Sequence, residues 1–98
     1  MRVLVVEDEH RIANSIKQGL EQENYAVDVD YDGSEGLDRG TSEEYDIIIL
    51  DRLLPNINGI QITTSLRKQN IHTPILMLTA KGQLDDRLMG LIPALTII

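Results

Sequence analysis

The chain's 98 residues leave room for one small domain, and its 42% hydrophobic and 26% charged residues are the proportions of an ordinary globular protein. A formal charge of −7, with neither Trp nor Phe present, argues against direct nucleic-acid binding, which wants a basic footprint and stacking platforms; it favours a protein partner or a bound cation. Without cysteine there are no disulfides or thiolate metal sites, and no run approaches the roughly 20 apolar residues that span a bilayer.

The opening MRVLVVEDE lacks the longer apolar region and small-residue cleavage site of a signal peptide, so a cytoplasmic location with no membrane contact is expected. Arg2–Val6 is a short apolar run closed by Glu7-Asp8-Glu9 and reads as a buried strand stopped by acids. Ile12, Ile16 and Leu20 come next at i, i+4 and i+8, the stripe of an amphipathic helix, with Arg11, Lys17 and Glu21 off that face. Tyr25–Val29 is β-prone, and Asp32-Gly33-Ser34 is a turn and cap signal before a weaker helix around Glu35–Arg39. Asp46–Leu50 carries an uninterrupted Ile-Ile-Ile-Leu run, typical of a parallel strand covered on both faces, and Asp51 closes it. Pro55, Asn56 and Asn58 punctuate the next segment, and Gly59 opens a helix carrying Ile62 and Leu66. Pro74–Leu78 is a further buried strand ended by Thr79, and a last helix is expected from about Gln83 to Leu91 on a stripe of Leu84, Leu88 and Leu91.

Strand and helix alternate throughout, which predicts an α/β fold: a doubly wound parallel sheet with helices on both faces. Ligands of such sheets sit outside the carboxyl ends of the strands. The first strand ends at Glu7-Asp8, the third at Asp51 and the fourth at Thr79, so these groups meet on one rim if the three strands are neighbours. Carboxylates gathered in this way repel one another unless a cation is bound, and a hard divalent ion with oxygen ligands, most naturally Mg²⁺, resolves the conflict. The same ion would screen the approach of an anionic phosphoryl donor.

VVEDE after the first strand, IIILDRLLPNING around Asp51 and PILMLTAK around Thr79 are similar to the signature segments of response-regulator receiver domains, and the resemblance runs from Met1 to Leu91. DRLLP, the Leu66-Arg67 pair and LTAK most resemble the OmpR/PhoB type, whose members usually add a winged-helix DNA-binding domain. The resemblance implies the flavodoxin-like receiver fold with strand order 2-1-3-4, the fifth strand being missing here or replaced by the tail. It implies that Asp51 is the phosphoacceptor, attacking the phosphohistidine of a partner histidine kinase. Asp8 and Asp51 would hold Mg²⁺ directly together with the backbone carbonyl of Leu53, and Glu7 would help through water. Thr79 would turn its hydroxyl to the phosphoryl oxygens, with small Ala80 beside them, while Pro55 and Gly59 would shape the loop behind Asp51. Such a domain is a phosphoacceptor and not a turnover enzyme. Plainer readings stand beside these: Glu7 and Asp8 as strand terminators, Asp51 as a cap or turn residue, Thr79 as a helix N-cap, and His10, His72 and Lys81 as solvated side chains.

The resemblance stops after Leu91. Receivers of this type continue with a segment like GADDYL, a fifth strand, a Lys followed by Pro and a fifth helix, whereas this chain reads Ile92-Pro93-Ala94-Leu95-Thr96-Ile97-Ile98 and has no Lys after Lys81. Read from the third base of the Ile92 codon, the possible codons become HCC-NGC-NCT-NAC-NAT-HAT, which admit Ser-Gly-Ala-Asp-Asp-Tyr. A frameshift with net loss of one base just before codon 92 is therefore expected. It would make residues 1–91 an incomplete receiver domain and residues 92–98 an aberrant tail, β-prone enough to serve as a substitute edge strand. Switching would then be impaired and most of the family's dimer face missing. Two rival functions remain: a non-catalytic kinase-docking or decoy fragment, and an aspartate-nucleophile phosphatase of the haloacid-dehalogenase type. The second wants an acid two residues after the nucleophile, where this chain has Leu53.

Overall fold

In the computed structural model of the chain, residues 1–78 and 95–97 are described. Strands β1 (Arg2–Val6), β2 (Ala26–Asp30), β3 (Ile47–Asp51) and β4 (Ile75–Leu78) form a parallel sheet, as the alternation of elements predicts, in the order β2-β1-β3-β4 that the resemblance implies. Helices α1 (His10–Gln22), α2 (Gly33–Ser42) and α3 (Gly59–Lys68) make the connections. A fifth strand, β5 (Leu95–Ile97), adds to the β4 edge in the antiparallel sense, pairing Leu76 with Ile97 and Leu78 with Leu95. Thr79, Ala80, Lys81 and the helix expected over Gln83–Leu91 lie outside the described residues.

Each strand alternates its side chains between two cores. Leu4, Val6, Ile48, Leu50, Ile75 and Met77 point to one face, where Ile62 and Leu66 of α3 complete a fully buried cluster. Val3, Val5 and Val27 point to the other, where Ile16 and Leu20 of α1 pack against them. On that second face Ile47, Ile49, Leu76 and Leu78 are only half-buried, so the Ile-rich run of β3 is less evenly covered than its composition predicts. The period-2 pleat explains the alternation, and the 3.6-residue stripe of α1 explains which of its residues meet the sheet.

Helix ends account for the small differences between expected and observed boundaries. Asn24 sits at φ 69°, and the amides of Asn24 and Tyr25 return to the carbonyls of Glu21 and Leu20. This Schellman closure consumes Tyr25, so β2 starts one residue later than its β-prone run. The α3 terminus repeats it with Asn70 at φ 62° and the Ile71 amide on the Leu66 carbonyl. Helix α2 runs three residues past the expected end at Arg39, to Ser42. Its glycines weaken local propensity, but Gly36 and Gly40 are buried against the sheet and α3, and that packing overrides propensity.

The open edge at β2 is closed by charge. The Tyr45 hydroxyl donates to Asp28 Oδ2 at 2.7 Å, the Arg2 guanidinium lies 4.7 Å from the Tyr45 ring centre and also reaches Asp28 and Glu43, and Arg39 Nε sits 3.0 Å from Asp30 Oδ2. Charged, inward-turned residues on an edge strand discourage pairing with another chain. The Tyr45 hydrogen bond holds the Asp28 carboxyl below its ordinary range, whereas burial pushes Asp30 up despite Arg39. Burial and the neighbouring Asp28 raise the Tyr45 phenol well above its ordinary value of 10.0. A raised phenol pKa means that the fold favours the neutral form. Its contribution is therefore complete below pH 10.0 and is lost as pH rises beyond that value. Tyr45→Phe is expected to cost about 1 kcal/mol at neutral pH and to flatten the alkaline fall in stability. Denaturant melts of both proteins across the alkaline range check this; an unchanged alkaline fall in the variant assigns it to other groups.

Candidate metal centre

The site arises from strand register. β1 pairs with β3 through Val6 and Leu50, and β3 pairs with β4 through Asp51 and Leu78. One step beyond Val6, β1 delivers Glu7 and Asp8 to the rim on which Asp51 ends β3. One carboxylate oxygen from each of Glu7, Asp8 and Asp51 lies within 4.8 Å of the others. Glu7 and Asp51 are buried, at 2% and 5% exposure, whereas Asp8 is open to solvent.

Backbone donors hold the buried acids. Glu7 Oε2 accepts from the Glu9 amide at 2.9 Å, and the Glu7 amide donates to the Asp30 carbonyl, which pins the end of β1 to β2. Asp51 Oδ1 accepts from the Leu53 amide at 3.3 Å, a turn-like contact that places Leu53 directly behind the acid. The loop from 52 to 58 is then gathered in. The Gly59 amide donates to the Arg52 carbonyl at 2.8 Å, and a Cβ on Gly59 would stand 2.7 Å from the Asp51 carbonyl oxygen, so only glycine lets α3 start this close. Asn56 takes φ 71°, Leu54 and Ile57 pack onto the core, and Asn58 caps α3 in a reciprocal capping box with Gln61. Asn58, and not Asp51, is thus the cap of this helix.

Of the residues that the sequence singles out, Glu7, Asp8 and Asp51 come together, Leu53 and Pro55 lie on the loop that leaves Asp51, and Gly59 opens α3 at its end. Thr79 and Ala80 lie outside the described residues. The Pro55 carbonyl accepts from the Gly33 amide at 3.1 Å as well as from Ile57, a link to α2 that sequence reasoning missed. Asp-Gly signalled a turn there, but nothing local signals a contact between segments so far apart in the chain. His10 stacks on Tyr31 at 3.7 Å, a pairing that needed the fold to be visible.

Two unit charges about 5 Å apart repel by roughly 3 kcal/mol at an effective dielectric of about 20, more than an exposed ion pair returns. The backbone donors offset part of that repulsion. An all-oxygen donor set with two buried acids and one exposed acid fits a hard divalent cation such as Mg²⁺ and lacks the nitrogen and sulfur that zinc prefers.

Comparison with known proteins gives a consistent result. The family model for the response regulator receiver domain matches residues 3–94. Response regulator ArlR of Staphylococcus saprophyticus is 49% identical over 90 residues, covering 92% of this chain and 40% of that protein. ArlR of Staphylococcus aureus strain Mu50 is 47% identical, with 92% and 41% covered. The chain therefore spans about two fifths of the length of these curated relatives. Among solved structures, the Francisella response regulator 1452 receiver domain superposes with a TM-score of 0.80 at 36% identity, over 91% of this chain and 74% of that one. Response regulator TrrA of Thermotoga maritima, solved in complex with Mg²⁺-BeF, gives 0.77 at 36% identity, over 89% and 76%.

The crowding of acids makes a prediction of opposite sign with and without cation. In chelator, Asp51→Asn is expected to stabilise the protein by roughly 1–3 kcal/mol, because a buried like charge disappears. For the unsubstituted chain, Mg²⁺ at about one hundred times its dissociation constant should add about 2.7 kcal/mol, a gain that the variant largely forfeits. Thermal melts in chelator and in Mg²⁺ read both effects.

Proposed function

This chain belongs to the response regulator receiver domain family, and from that premise we propose that it accepts a phosphoryl group on Asp51 from the phosphohistidine of a histidine kinase, with Mg²⁺ bound at the acid rim. The convergence of Glu7, Asp8 and Asp51 carries this reading, because an acid nucleophile beside a cation site is what acceptance of an anionic phosphoryl group requires. Asp8 and Asp51 would hold the ion together with the Leu53 carbonyl, and Glu7 would act through water. Bound there, Mg²⁺ supplies charge neutralisation for the incoming phosphoryl oxygens.

Asp51 performs the bond-making step. One carboxylate oxygen forms an O–P bond while the donor's N–P bond breaks, and the imidazole departs with that electron pair and is reprotonated. The turn contact from the Leu53 amide orients Asp51 for attack, and the burial of Asp51 keeps bulk water from it. Thr79 is assigned to the phosphoryl oxygens, with Ala80 as the small neighbour that leaves room for them, and Pro55 and Gly59 to the shape of the loop. The position two residues past Asp51, where a phosphatase of the aspartate-nucleophile type carries its acid, holds Leu53, an apolar side chain 61% exposed. Leu53 offers no proton to drive turnover, so the product is an aspartyl phosphate and the protein is a phosphoacceptor and not an enzyme. The charge of −7 directs the signal to another protein surface and away from nucleic acid.

Incubation with acetyl phosphate and Mg²⁺ is expected to add the mass of one phosphoryl group to the intact protein, detected by mass spectrometry, and borohydride, which releases the phosphate as it reduces the acyl phosphate, should leave homoserine at position 51. Asp51→Asn should take up none, and Asp8→Asn should slow the uptake by about 10-fold or more, the usual loss when a metal site is impaired. Continuous release of inorganic phosphate without trapped adduct would point to the phosphatase reading, and no reaction at all to a docking fragment.

A further inference from the structure

The first turn of α2 touches the loop that leaves Asp51, although the two belong to different strand-helix units. Gly33, the buried first residue of α2, donates its amide to the Pro55 carbonyl at 3.1 Å. The clearance is smaller still: a Cβ built on Gly33 would lie 1.7 Å from the Ile57 carbonyl oxygen and 2.7 Å from its carbon. Both atoms are backbone, so no side-chain rotation relieves the clash, and the loop itself would have to move. α2 cannot yield instead without cost, because the Asp32 side chain caps it by accepting from the Glu35 amide, and Gly36 one turn on is pressed against Val6.

Loop 52–58 is held by Asp51 through the Leu53 amide, by Gly59 through the Arg52 carbonyl, by Leu78 of β4 through the Arg52 amide, and by Gly33 through the Pro55 carbonyl. The first two holds lie at the start of the loop and beside Asp51. The hold from Leu78 also lies at that end, so the Gly33 amide is the hold from outside the β3–α3 unit that reaches the middle of the loop. We propose that Gly33 is a positioning residue for the cation site: the absence of a side chain there lets α2 buttress the loop that carries Leu53, whose carbonyl is assigned to the ion. The inference rests on the function proposed above and adds a residue from outside the acid rim and its loop. A ligand carbonyl on a loop has no side-chain rotamer to correct its aim, so the buttress sets the geometry. Supporting groups of this kind typically change metal affinity by about 10–100-fold when lost.

Gly36 provides the control. A Cβ there would lie 2.6 Å from Val6 Cγ1, a milder clash that falls on a core side chain and not on the loop. Calorimetric titration of Mg²⁺ into the full chain, Gly33→Ala and Gly36→Ala, each scaled to its folded fraction by circular dichroism, separates site positioning from general damage. Gly33→Ala is expected to bind Mg²⁺ about 10-fold or more weakly, and Gly36→Ala to bind like the unsubstituted chain. Equal affinity in Gly33→Ala, or equal weakening in both variants, overturns the proposal. If Gly33→Ala does not fold, amide exchange in the unsubstituted chain decides: Mg²⁺ should slow exchange at the Gly33 amide more than at the Ile71 amide, which closes the far end of α3. Equal slowing, or none, overturns the proposal. Absence of Mg²⁺ binding by the unsubstituted chain overturns both this inference and the function it rests on, whereas normal binding with an indifferent Gly33 overturns the inference alone.

Discussion

The parallel pairing of β1 with β3 is the constraint on which the rest of the molecule depends. Its register sets Val6 against Leu50, so the next residues of both strands emerge side by side on one rim. Because side chains alternate with period 2, a slip of one residue would turn Leu4 and Val6 away from the α3 side and bring Val3 and Val5 to it, exchanging the two cores. Leu4 and Val6 are sealed under one cluster and Val3 and Val5 under the other, and this two-sided burial fixes the register far more firmly than backbone hydrogen bonds alone. The meeting of Glu7, Asp8 and Asp51 is thus enforced by apolar packing several residues away. Hydrophobic burial, at about 25 cal/mol per Å², outweighs the few kcal/mol of carboxylate repulsion that it imposes.

The loop after Asp51 is shaped by backbone more than by side chains. It is short of regular structure, yet its amides and carbonyls are committed: Arg52 to Leu78, Gly59 to Arg52, Ile57 and Gly33 to Pro55. Side-chain anchors Leu54 and Ile57 tie it to the same core that fixes the strands. A loop held in this way can present a carbonyl in a defined direction while leaving Asp8 and the exposed Leu53 accessible to a partner. The charge network at β2 keeps the edge strand closed through Tyr45, Arg2 and Arg39.

Much of this was legible in the sequence because it is written in local patterns. The Ile-Ile-Ile-Leu run before Asp51, the acids after Val6 and the stripe of Ile16 and Leu20 each name an element and a face, and parallel alternation then names the rim. The β-prone tail was also visible, and β5 sits at the β4 edge; its antiparallel direction is a matter of chain path, which composition does not encode. Three things had no local signature. The Gly33–Pro55 link depends on clearance between two segments of backbone. The stacking of His10 on Tyr31 joins the start of α1 to the end of β2. The late start of β2 arises from a helix closure at Asn24, where a residue that tolerates positive φ outweighs the β-propensity of Tyr25.

The proposed function requires the acids at the ends of β1 and β3 to share one divalent ion. Substituting Mn²⁺ for Mg²⁺ and recording amide spectra tests it most directly, because the paramagnetic ion broadens only nearby signals. Selective broadening of Asp8, Asp51 and Leu53 is expected at low Mn²⁺, reversed by excess Mg²⁺. Broadening centred on another acidic stretch, such as Glu43-Glu44 at the opposite end of the sheet, with the signals of Asp8 and Asp51 left sharp, would contradict it.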